Sequence, residues 1–463
     1  IKSIISTKNP HNIKKKILLI GAGDTGQLIL RQSLQKSDSN ISVIGFLDDD
    51  KNKIGQRLHG VPIISRIDSI STLMIDYEEI YICVPSANHK QMRSIVDECK
   101  KTGKIFKTLP SISELIEGNI SISQFREVSL LDLLGREEIK LDKSSINEFI
   151  KGKRVLVTGA GGSIGSELVR QCVKFEPSVL VMMDISELNL FEIDREIIGE
   201  ESNILFKPVL SDIRDYSVVD QVFNEFRPQV VFHAAAYKHV PIQEYFPWEA
   251  VKTNVFGTSN VSDISVKYDV EKFVLVSTDK AVKPVNVMGA TKRLAEMVTQ
   301  DYNRQNNNTE FMAVRFGNVL GSSGSVIPIF QEQIRKGGPV TVTDPDMERY
   351  FMSIPEASQL ILQAGSLGLG GEVFILDMGD PIKIIDIANE LIRLSGYEPE
   401  LDISIEFTGT RPGEKKIEEL SLPTEQLDKT KHDKIFVLND SGINMEKLSI
   451  IIKGIKELEN DLS

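Results

Sequence analysis

The chain has 463 residues, of which 41% are hydrophobic and 26% are charged, as in an ordinary globular protein. At roughly 150 residues per domain, this length predicts about three domains with their own cores, and it excludes collagen, coiled-coil and disordered classes. The net charge of −12 argues against a broad nucleic-acid surface, because binding phosphates needs clustered lysines and arginines. No nucleic-acid partner is therefore expected.

The cysteines and the apolar runs exclude further classes of protein. Cys83, Cys99 and Cys172 are odd in number and lack CxxC spacing, which favours a reducing compartment over a disulfide framework, and no metal site is expected. No run of about 18 apolar residues is present, so the sequence predicts no membrane-spanning helix. The chain begins at Ile1 in a Lys-rich stretch, and we expect that an upstream segment is missing.

The N-terminal part of the chain predicts an α/β domain. KKKILLIGAGDTGQLIL has the pattern of a strand, a glycine turn and a helix, and ISVIGFLDDD and EEIYICVPS follow as strands. We predict a leader at 1–13, a Rossmann-like domain at 14–111 and a connector with short helices at 112–150. Two interpretations of this domain stay open. Gly21, Gly23 and Gly26 beside the acidic run at 48–50 either bind a nucleotide or serve a structural, oligomerising or sensing role.

A second strand–turn–helix unit begins at GKRVLVTGAGGSIGSELVRQ. After it, helical stretches separate the strand-like runs VLVMMD, ILFKPV, QVVFHAA, KFVLVST, MAVRF and EVFILDM. This alternation is typical of a doubly wound parallel sheet covered by helices on both faces. We predict a second Rossmann-like domain at 151–440, with a small substrate-binding part near its C-terminus, and an amphipathic C-terminal helix at 441–463.

The second glycine turn predicts a dinucleotide site. Gly159, Gly162 and Gly165 follow a strand and open a helix, whose N-terminal N–H groups can bind a pyrophosphate. Asp184 ends the next strand, 19 residues beyond Gly165, where a carboxylate binds the ribose hydroxyls of NAD and repels the 2′-phosphate of NADP. NAD is therefore the expected cofactor.

The T-G-x-x-G-x-x-G spacing resembles the short-chain dehydrogenase/reductase superfamily. In that superfamily a Tyr-x-x-x-Lys pair performs acid–base chemistry, but here Met288 stands four residues before Lys292 where the tyrosine is expected. A thioether cannot exchange a proton. The segment instead offers Thr278, Asp279 and Lys280 directly after the predicted fifth strand, where an acid and a base can act on one substrate. The resemblance implies that the cofactor is bound by Thr158, Gly159, Gly162, Ser163, Ile164, Gly165, Asp184, Ser186, Asp212, Ile213, Ala234, Ala235, Ala236, Asn254 and Lys292.

The combined motifs are similar to the long form of the bacterial nucleotide-sugar 4,6-dehydratases, which are extended short-chain dehydrogenases. The stretches that carry this resemblance are TGAGGSIGSEL, HAAAYKHVP, STDKAVKPVNVMGATKR, RFGNVLGSSGSVIP, MERYFM and RPGEKKIEEL. The family implies a UDP-N-acetylhexosamine substrate, in particular UDP-N-acetylglucosamine, and a product with a 4-keto-6-deoxy sugar for surface polysaccharide or glycan synthesis. It also implies a homo-oligomer, and a cytoplasmic location at the inner-membrane face through membrane helices upstream of this chain.

The resemblance assigns roles to the reactive residues. Asp279 is the acid at C6 and Lys280 the base at C5, and Lys280 must be a neutral amine, which burial or a nearby positive charge favours. Thr278, with a water and Lys292, is the candidate for the C4 hydroxyl proton. Two alternatives are a UDP-hexose 4-epimerase, which normally keeps the tyrosine, and a non-catalytic nucleotide sensor. The stretch RFGNVLGSSGSVIP, from Arg315 to Pro328, is expected to meet the uridine and the sugar, with Asn318 closest to the chemistry. Arg349 and Arg411 are candidates for the diphosphate, and Lys238 for the sugar or the phosphates. Glu414 is expected to orient Arg411 or a ribose.

Overall fold

The computed structural model describes residues 14–35, 41–87, 89–109, 122, 125–128, 132, 139–198, 203–305, 308–422, 425–438 and 445–462. The chain divides into two compact units, Ile1–Glu138 with Arg393–Tyr397, and Ile139–Ile392 with Glu398–Ser463. The predicted leader lies outside the described residues, as does most of the predicted connector before residue 139. The last part of that connector, from residue 139, belongs to the second unit and contains a helix at Lys143–Ile150.

The first unit contains a seven-stranded sheet in the order β3-β4-β2-β1-β5-β6-β7. Strands β4, β2, β1, β5 and β6 are parallel, and the short β3 and β7 pair antiparallel at the two edges. Buried apolar clusters cover both faces of this sheet. Its strands are β1 (Lys15–Ile20), β2 (Ile41–Leu47), β3 (Arg57–Leu58), β4 (Val61–Ser65), β5 (Glu79–Ile82), β6 (Ile105–Thr108) and β7 (Arg126–Glu127), and its helices are α1 (Asp24–Gln35), a 3₁₀ helix (Ile67–Thr72) and α2 (His89–Lys100).

The second unit contains a nine-stranded sheet in the order β10-β9-β8-β11-β12-β13-β18-β22-β21. The seven strands from β10 to β18 are parallel, and β22 and β21 add an antiparallel edge. The strands of this unit are β8 (Arg154–Thr158), β9 (Val179–Asp184), β10 (Leu205–Leu210), β11 (Val230–His233), β12 (Lys272–Val276), β13 (Glu310–Arg315), β14 (Asn318–Val319), β15 (Val340–Val342), β16 (Glu348–Arg349), β17 (Phe351–Met352), β18 (Val373–Leu376), β19 (Ile382–Lys383), β20 (Ile405–Phe407), β21 (Leu427–Lys429) and β22 (Ile435–Leu438).

Helices lie between the strands of the second unit, as the alternating pattern predicts. They are α3 (Lys143–Ile150), α4 (Ser163–Val173), α5 (Glu187–Ile197), α6 (Tyr216–Phe226), α7 (Val240–Tyr245), α8 (Pro247–Ala250), a π-helical turn (Val251–Gly257), α9 (Thr258–Lys267), a 3₁₀ turn (Asp279–Ala281), α10 (Val287–Gln305), α11 (Val326–Arg335), α12 (Ile354–Leu367), α13 (Ile384–Leu394) and α14 (Met445–Leu462). The fold is therefore α/β with two Rossmann-like doubly wound sheets, which confirms the predicted fold class.

The sheet of the second unit is buried on both faces. Val155 and Val157 belong to one apolar cluster, whereas Leu156 between them belongs to the cluster on the opposite face. Side chains of a strand alternate between faces, so a continuous apolar run such as RVLVT fits a strand buried on both sides. The parallel arrangement brings the carboxyl ends of β8, β9, β11, β12 and β13 to one edge of the sheet, where the predicted site residues follow.

Candidate active site

The turn after β8 leaves no room for side chains. Gly159 has a φ of 67°, and a Cβ atom built on it would lie 2.7 Å from the Ala235 backbone. A Cβ on Gly165 would lie 1.9 Å from the carbonyl oxygen of Gly159. Gly162 precedes α4 and caps it without a side-chain hydrogen bond, so the first N–H groups of the helix have no side-chain cap. This turn can accept a phosphate group at close range.

Asp184 lies at the end of β9 and is fixed by two backbone donors. The Gly161 N–H donates to its Oδ2 at 2.8 Å, and the Ser186 N–H donates to its Oδ1 at 2.8 Å. Ser186 also caps α5, because its hydroxyl accepts the Asn189 N–H. The carboxylate is thus held beside the glycine turn, as the sequence spacing predicts.

A cleft of about 240 Å³ lies over these elements. The predicted cofactor-binding residues that line it are Gly159, Gly162, Asp184, Ser186, Asp212, Ile213, Ala234, Ala235 and Ala236. It is also lined by residues that were not predicted, among them Asn189, Arg214, Tyr237 and Thr253. The Asp212 carboxylate accepts two hydrogen bonds from Arg214, one from its backbone N–H and one from its Nε. Ser163, Ile164 and Gly165 lie at the start of α4: the Ser163 hydroxyl accepts the Ser323 N–H, and Ile164 packs on the core.

Thr158 lies behind the cleft wall, in a buried chain of hydrogen bonds through His233. The Thr258 hydroxyl donates its proton to the Asn254 carbonyl and therefore accepts the hydrogen bond from His233 Nε2 at 3.0 Å. Because Nε2 carries the proton of the neutral ring, Nδ1 accepts from the Thr158 hydroxyl at 2.7 Å. Burial lowers the pKa of His233 to about 3, with a smaller effect from the positive charge of Lys292, so the imidazole is neutral. Thr158 in turn accepts the Ala235 N–H at 3.4 Å and thereby positions the turn after β11.

Asn254 lies in the π-helical turn and is 1% exposed. Its side chain accepts the Tyr237 N–H at 2.8 Å and donates to the Tyr237 carbonyl and the Thr291 hydroxyl, both at 3.0 Å. Thr158 and Asn254 therefore hold the Ala234–Tyr237 turn from behind. Neither side chain lines the cleft, and the prediction that both bind the cofactor stays a prediction.

The predicted acid–base pair forms a compact polar group after β12. Asp279 is fully buried, and its Oδ1 accepts from the Thr278 hydroxyl at 2.8 Å and from Lys280 Nζ at 3.0 Å. Lys280 Nζ also donates to Asn318 Oδ1 at 3.1 Å. The 3₁₀ turn at Asp279–Ala281 makes this possible, because it aims two adjacent side chains at one place. Asp279 Oδ2 is buried with no hydrogen-bond partner among the described residues.

Helix α10 brings Met288 and Lys292 behind this group. Both residues are buried, one helical turn apart, and Lys292 Nζ donates to the Val276 carbonyl at the end of β12 at 2.7 Å. Burial lowers the pKa of Lys292 to about 8, against the opposing charge of Glu296. Met288 offers no exchangeable proton at the position of the usual tyrosine.

A buried ion pair lies one turn further along α10, and sequence analysis missed it. The two carboxylate oxygens of Glu296 accept from Arg315 Nε at 2.7 Å and Nη2 at 2.8 Å. Arg293 and the Ser277 hydroxyl donate to the same carboxylate. Arg315, which begins the stretch expected to contact the substrate, is thus a structural partner that supports the end of β12. The i, i+3 spacing of Arg293 and Glu296 in the predicted helix was a signal for one of these contacts.

Arg349 differs from its expected role. Its guanidinium is largely buried and donates to three backbone carbonyls, those of Glu348 at 2.7 Å, Lys416 at 2.9 Å and Lys415 at 2.7 Å. These bonds occupy both terminal nitrogens. Arg349 therefore holds the RPGEKK segment in place, and its predicted role in binding the diphosphate stays a prediction.

The remaining substrate candidates are distributed along the surface, apart from Asn318 beside Lys280. Arg411 and Lys238 are exposed. The Glu414 carboxylate accepts the backbone N–H of Arg411 at 3.2 Å, and its predicted role in orienting Arg411 or a ribose stays a prediction. A further carboxyl group that the sequence analysis did not single out, Glu418, is buried with its Oε1 3.9 Å from Lys280 Nζ.

The described residues contain neither a candidate metal site nor a candidate membrane span. Within the ranges given above, no group of three or more His, Cys, Asp or Glu side chains is arranged to hold a metal ion. No described helix combines the length and the apolar character needed to cross a membrane. Cys83, Cys99 and Cys172 are all buried as free thiols, and burial raises the pKa of Cys99 to about 12.

The fold and the site define an extended short-chain dehydrogenase/reductase type of protein, and comparisons with known proteins agree. Residues 155–440 match the family described as polysaccharide biosynthesis protein, and residues 4–104 match a CoA-binding domain. Capsular polysaccharide biosynthesis protein CapD of Staphylococcus aureus is 46% identical over 427 residues, which is 91% of this chain and 71% of CapD. A UDP-glucose 4-epimerase of Rickettsia canadensis is 37% identical over 58% of this chain and 77% of the epimerase.

Among solved structures, Pen from Bacillus thuringiensis is 37% identical with a TM-score of 0.58, covering 63% of this chain and 89% of Pen. The chain therefore belongs to the polysaccharide biosynthesis protein family, in the short-chain dehydrogenase/reductase class that includes nucleotide-sugar epimerases and dehydratases. This confirms the predicted family resemblance at that level.

Proposed function

We propose that the chain catalyses the NAD-dependent 4,6-dehydration of a UDP-N-acetylhexosamine, in particular UDP-N-acetylglucosamine, to a 4-keto-6-deoxy product. The observation that carries this proposal is the buried Asp279–Lys280 pair, joined at 3.0 Å and bonded to Thr278 and Asn318. A carboxyl group and an amine held together can protonate one carbon substituent and deprotonate the neighbouring carbon. The buried Met288 at the tyrosine position removes the usual dehydrogenase acid.

The cleft of the second unit fits NAD. The backbone approaches at Gly159 and Gly165 form a cradle that any Cβ would fill, and the uncapped start of α4 presents N–H groups for a pyrophosphate. Asp184, fixed by Gly161 and Ser186, would accept from the ribose hydroxyls. When bound, NAD supplies the removal of hydride from C4 and its return to C6.

The protein side chains then handle the protons. Asp279 protonates the C6 hydroxyl, which leaves as water, while Lys280 takes the proton from C5 and later returns it. The C4 hydroxyl proton must reach Asp279 to restore the acid. The Thr278 hydroxyl donates to Asp279 Oδ1, so Thr278, with a water and Lys292, provides a route for this proton. No net oxidation results.

A UDP-hexose 4-epimerase is the second candidate, and the Rickettsia relative favours it. Epimerisation needs proton transfer at the C4 hydroxyl only, and it leaves the C5 and C6 bonds intact. The Asp279 and Lys280 side chains are 0% and 18% exposed, and Asn318 accepts a hydrogen bond from the Lys280 amine. In an epimerase this acid–base pair would have no step to perform. A non-catalytic nucleotide sensor would have no use for the pair either.

The test is incubation with UDP-N-acetylglucosamine and NAD in deuterated water, followed by proton NMR. Dehydration gives a new C6 methyl signal and deuterium at C5. Asp279→Asn and Lys280→Ala should each lower the rate by about 10²- to 10⁴-fold, which is the usual contribution of acid–base catalysis. Asp48→Asn in the first unit is the matched control and should keep the wild-type rate. A product altered only at C4 would establish the epimerase instead, and unchanged sugar would rule out both.

A further inference from the structure

The residues around Arg411 form a closed turn. The Glu414 N–H donates to the Arg411 carbonyl at 3.1 Å, and the Arg411 backbone N–H donates to the Glu414 carboxylate at 3.2 Å. Between them, Gly413 has a φ of 79°, in the left-handed region that glycine adopts without strain. The backbone of the 411–414 turn is therefore well defined, and a group that holds Gly413 also fixes where the Arg411 side chain starts.

Asn286 holds this turn. Its Nδ2 donates to the Gly413 carbonyl at 2.8 Å, although 127 positions separate the two residues in the sequence. A Cβ atom built on Gly413 would lie 2.8 Å from the Cβ of Asn286, so the turn rests directly on this side chain. One further bond lies nearby, because Lys415 Nζ donates to the Val282 carbonyl at 2.9 Å. The turn is thus attached to the segment that follows the reactive Asp279–Ala281 turn.

The same side chain caps helix α10. Asn286 Oδ1 accepts the Gly289 N–H at 2.7 Å, and the Asn286 carbonyl accepts the Ala290 N–H at 3.0 Å, which is the geometry of a helix N-cap. Gly289 in turn lies against the reactive turn, since a Cβ built on it would lie 2.3 Å from the Lys280 carbonyl oxygen. One end of the amide therefore fixes the helix start beside Lys280, and the other end fixes the turn that carries Arg411.

An asparagine suits this position because its two partners need opposite groups. The Gly289 N–H requires an acceptor and the Gly413 carbonyl requires a donor, and a side-chain amide supplies both. Aspartate caps a helix as well as asparagine does, but its carboxylate has no donor for the carbonyl. Serine also caps well, but it lacks the amide C–N bond of about 1.3 Å and falls short of Gly413 by about that length. These two replacements can therefore separate the helix cap from the attachment of the turn.

We propose that Asn286 is a positioning residue that orders the Arg411 turn in advance for the diphosphate of the nucleotide sugar. The inference rests on the proposed function, because it takes Arg411 as a phosphate partner in that substrate. A guanidinium pairs with a phosphate through two parallel N–H bonds, which needs a defined approach. With the Asn286 bond in place, the turn is ordered before the ligand arrives. Without that bond, part of the binding free energy goes into ordering the turn.

The first test measures UDP binding by calorimetry with NAD present, so that no turnover is needed. Asn286→Ser should raise the Kd of UDP about fivefold, the usual contribution of one hydrogen bond, and Asn286→Asp should raise it at least as much. Asp142→Ser is the matched control, because it exchanges one good N-cap for another at the start of α3. This control should bind UDP as the wild type does. A Kd raised by Asn286→Asp alone would point to the added charge and would overturn the proposal.

The second test asks whether Asn286 acts through Arg411. Arg411→Gln should weaken UDP binding by itself, and in that background Asn286→Ser should cause no further loss, because the group that it positions is gone. Equal losses from Asn286→Ser in both backgrounds, or normal UDP binding by Arg411→Gln, would overturn the proposal.

The third test separates binding from chemistry. With UDP-N-acetylglucosamine, Asn286→Ser should raise KM about fivefold at unchanged kcat, since it leaves the helix start beside Lys280 capped. A loss in kcat at unchanged KM would instead place the role of Asn286 at Lys280, against the proposal. A wild-type protein that binds UDP but does not dehydrate the sugar would contradict the proposed function and leave the binding result standing. A wild-type protein that does not bind UDP would overturn the inference about Asn286.

Discussion

The two units build their glycine turns in the same way. In the first unit, the Asp48 carboxylate accepts the Ala22 N–H at 2.8 Å, and in the second the Asp184 carboxylate accepts the Gly161 N–H at the same distance. A Cβ on Gly26 would lie 2.1 Å from the Gly21 carbonyl oxygen, which matches the 1.9 Å at the equivalent position of the second unit. The glycine spacing therefore specifies a backbone arrangement in both units.

The surroundings of the two carboxylates differ. Each carboxylate accepts a second backbone bond, Asp48 from the Asp50 N–H at 2.9 Å and Asp184 from the Ser186 N–H at 2.8 Å. Only Asp48 also has a lysine beside it, since Lys53 Nζ lies 3.1 Å away and partly neutralises it. The second unit also adds Thr278, Asp279 and Lys280 at the end of β12. The comparison shows that a glycine turn by itself indicates only a fold. Reactive side chains placed at the carboxyl end of the sheet are what indicate an enzyme.

The largest expected effect comes from filling the two turns. Gly165→Ala and Gly26→Ala each force a methyl group into a backbone oxygen, which cannot move aside, so each should destabilise its own unit by about 3 kcal/mol. Trp248 is the single tryptophan and belongs to the second unit. The urea midpoint of its fluorescence transition should fall for Gly165→Ala and stay unchanged for Gly26→Ala. Calorimetry should detect the lowered unfolding transition of the first unit in Gly26→Ala.

Gly23→Ala and Gly454→Ala are the controls for the first and second unit. A Cβ at either position meets no atom within 4 Å, so neither variant should be destabilised. Gly454→Ala lies inside a helix and can add up to about 1 kcal/mol of stability. A Trp248 transition that moves equally in Gly26→Ala and Gly165→Ala would show that the two units unfold together and would remove the basis of the comparison.

Local patterns predicted the fold and the position of Asp279 and Lys280 at the end of a strand. Apolar β-branched runs bounded by glycines and acidic residues predict buried parallel strands, and the residues after such strands share one edge. The edge strand β21 was missed because all three of its residues are exposed and show no alternation. The glycine turn and the Asp279–Lys280 pair were predictable because each lies within one short stretch.

Buried long-range partners were not predictable. Arg349 and Arg315 were both associated with the substrate, yet their partners are carbonyls at 415–416 and the carboxylate of Glu296. An arginine in a sequence carries no sign of which distant group it will meet. Glu418 was equally hidden, because it lies among several glutamates in RPGEKKIEEL and only the fold separates the buried one from its partly exposed neighbours.

Acid should weaken the second unit through His233. Its folded pKa of about 3 lies below the unfolded value near 6.5, so the unfolded chain takes the proton first as the pH falls. The stability that the neutral imidazole contributes is complete above about pH 6.5 and is lost towards pH 3, with a loss of about 2 kcal/mol by pH 5. Urea unfolding followed by Trp248 fluorescence at pH 7 and pH 5 measures it.

His233→Gln is the variant that isolates this effect. Its amide can still donate and accept between Thr158 and Thr258, but it does not titrate. The variant should therefore lose about 2 kcal/mol less than the wild type between pH 7 and pH 5. An equal loss in both proteins would mean that carboxyl groups, not the histidine, cause the acid sensitivity of this unit.

The smallest expected effect is on dinucleotide binding, and it distinguishes the carboxylate of Asp184 from that of Asp48. Asp184→Asn keeps the shape of the side chain but removes the charge that repels a 2′-phosphate, so the preference for NAD over NADP should fall about tenfold, or about 1.4 kcal/mol. Calorimetric Kd values for both dinucleotides measure this preference. Asp48→Asn should leave both constants unchanged, because Lys53 partly neutralises that carboxylate and the proposed cofactor cleft lies in the second unit. If calorimetry instead detects a second dinucleotide-binding event that Asp48→Asn abolishes, the glycine turn of the first unit is also a nucleotide site. The similar backbone of the two turns would then serve the same function in both units.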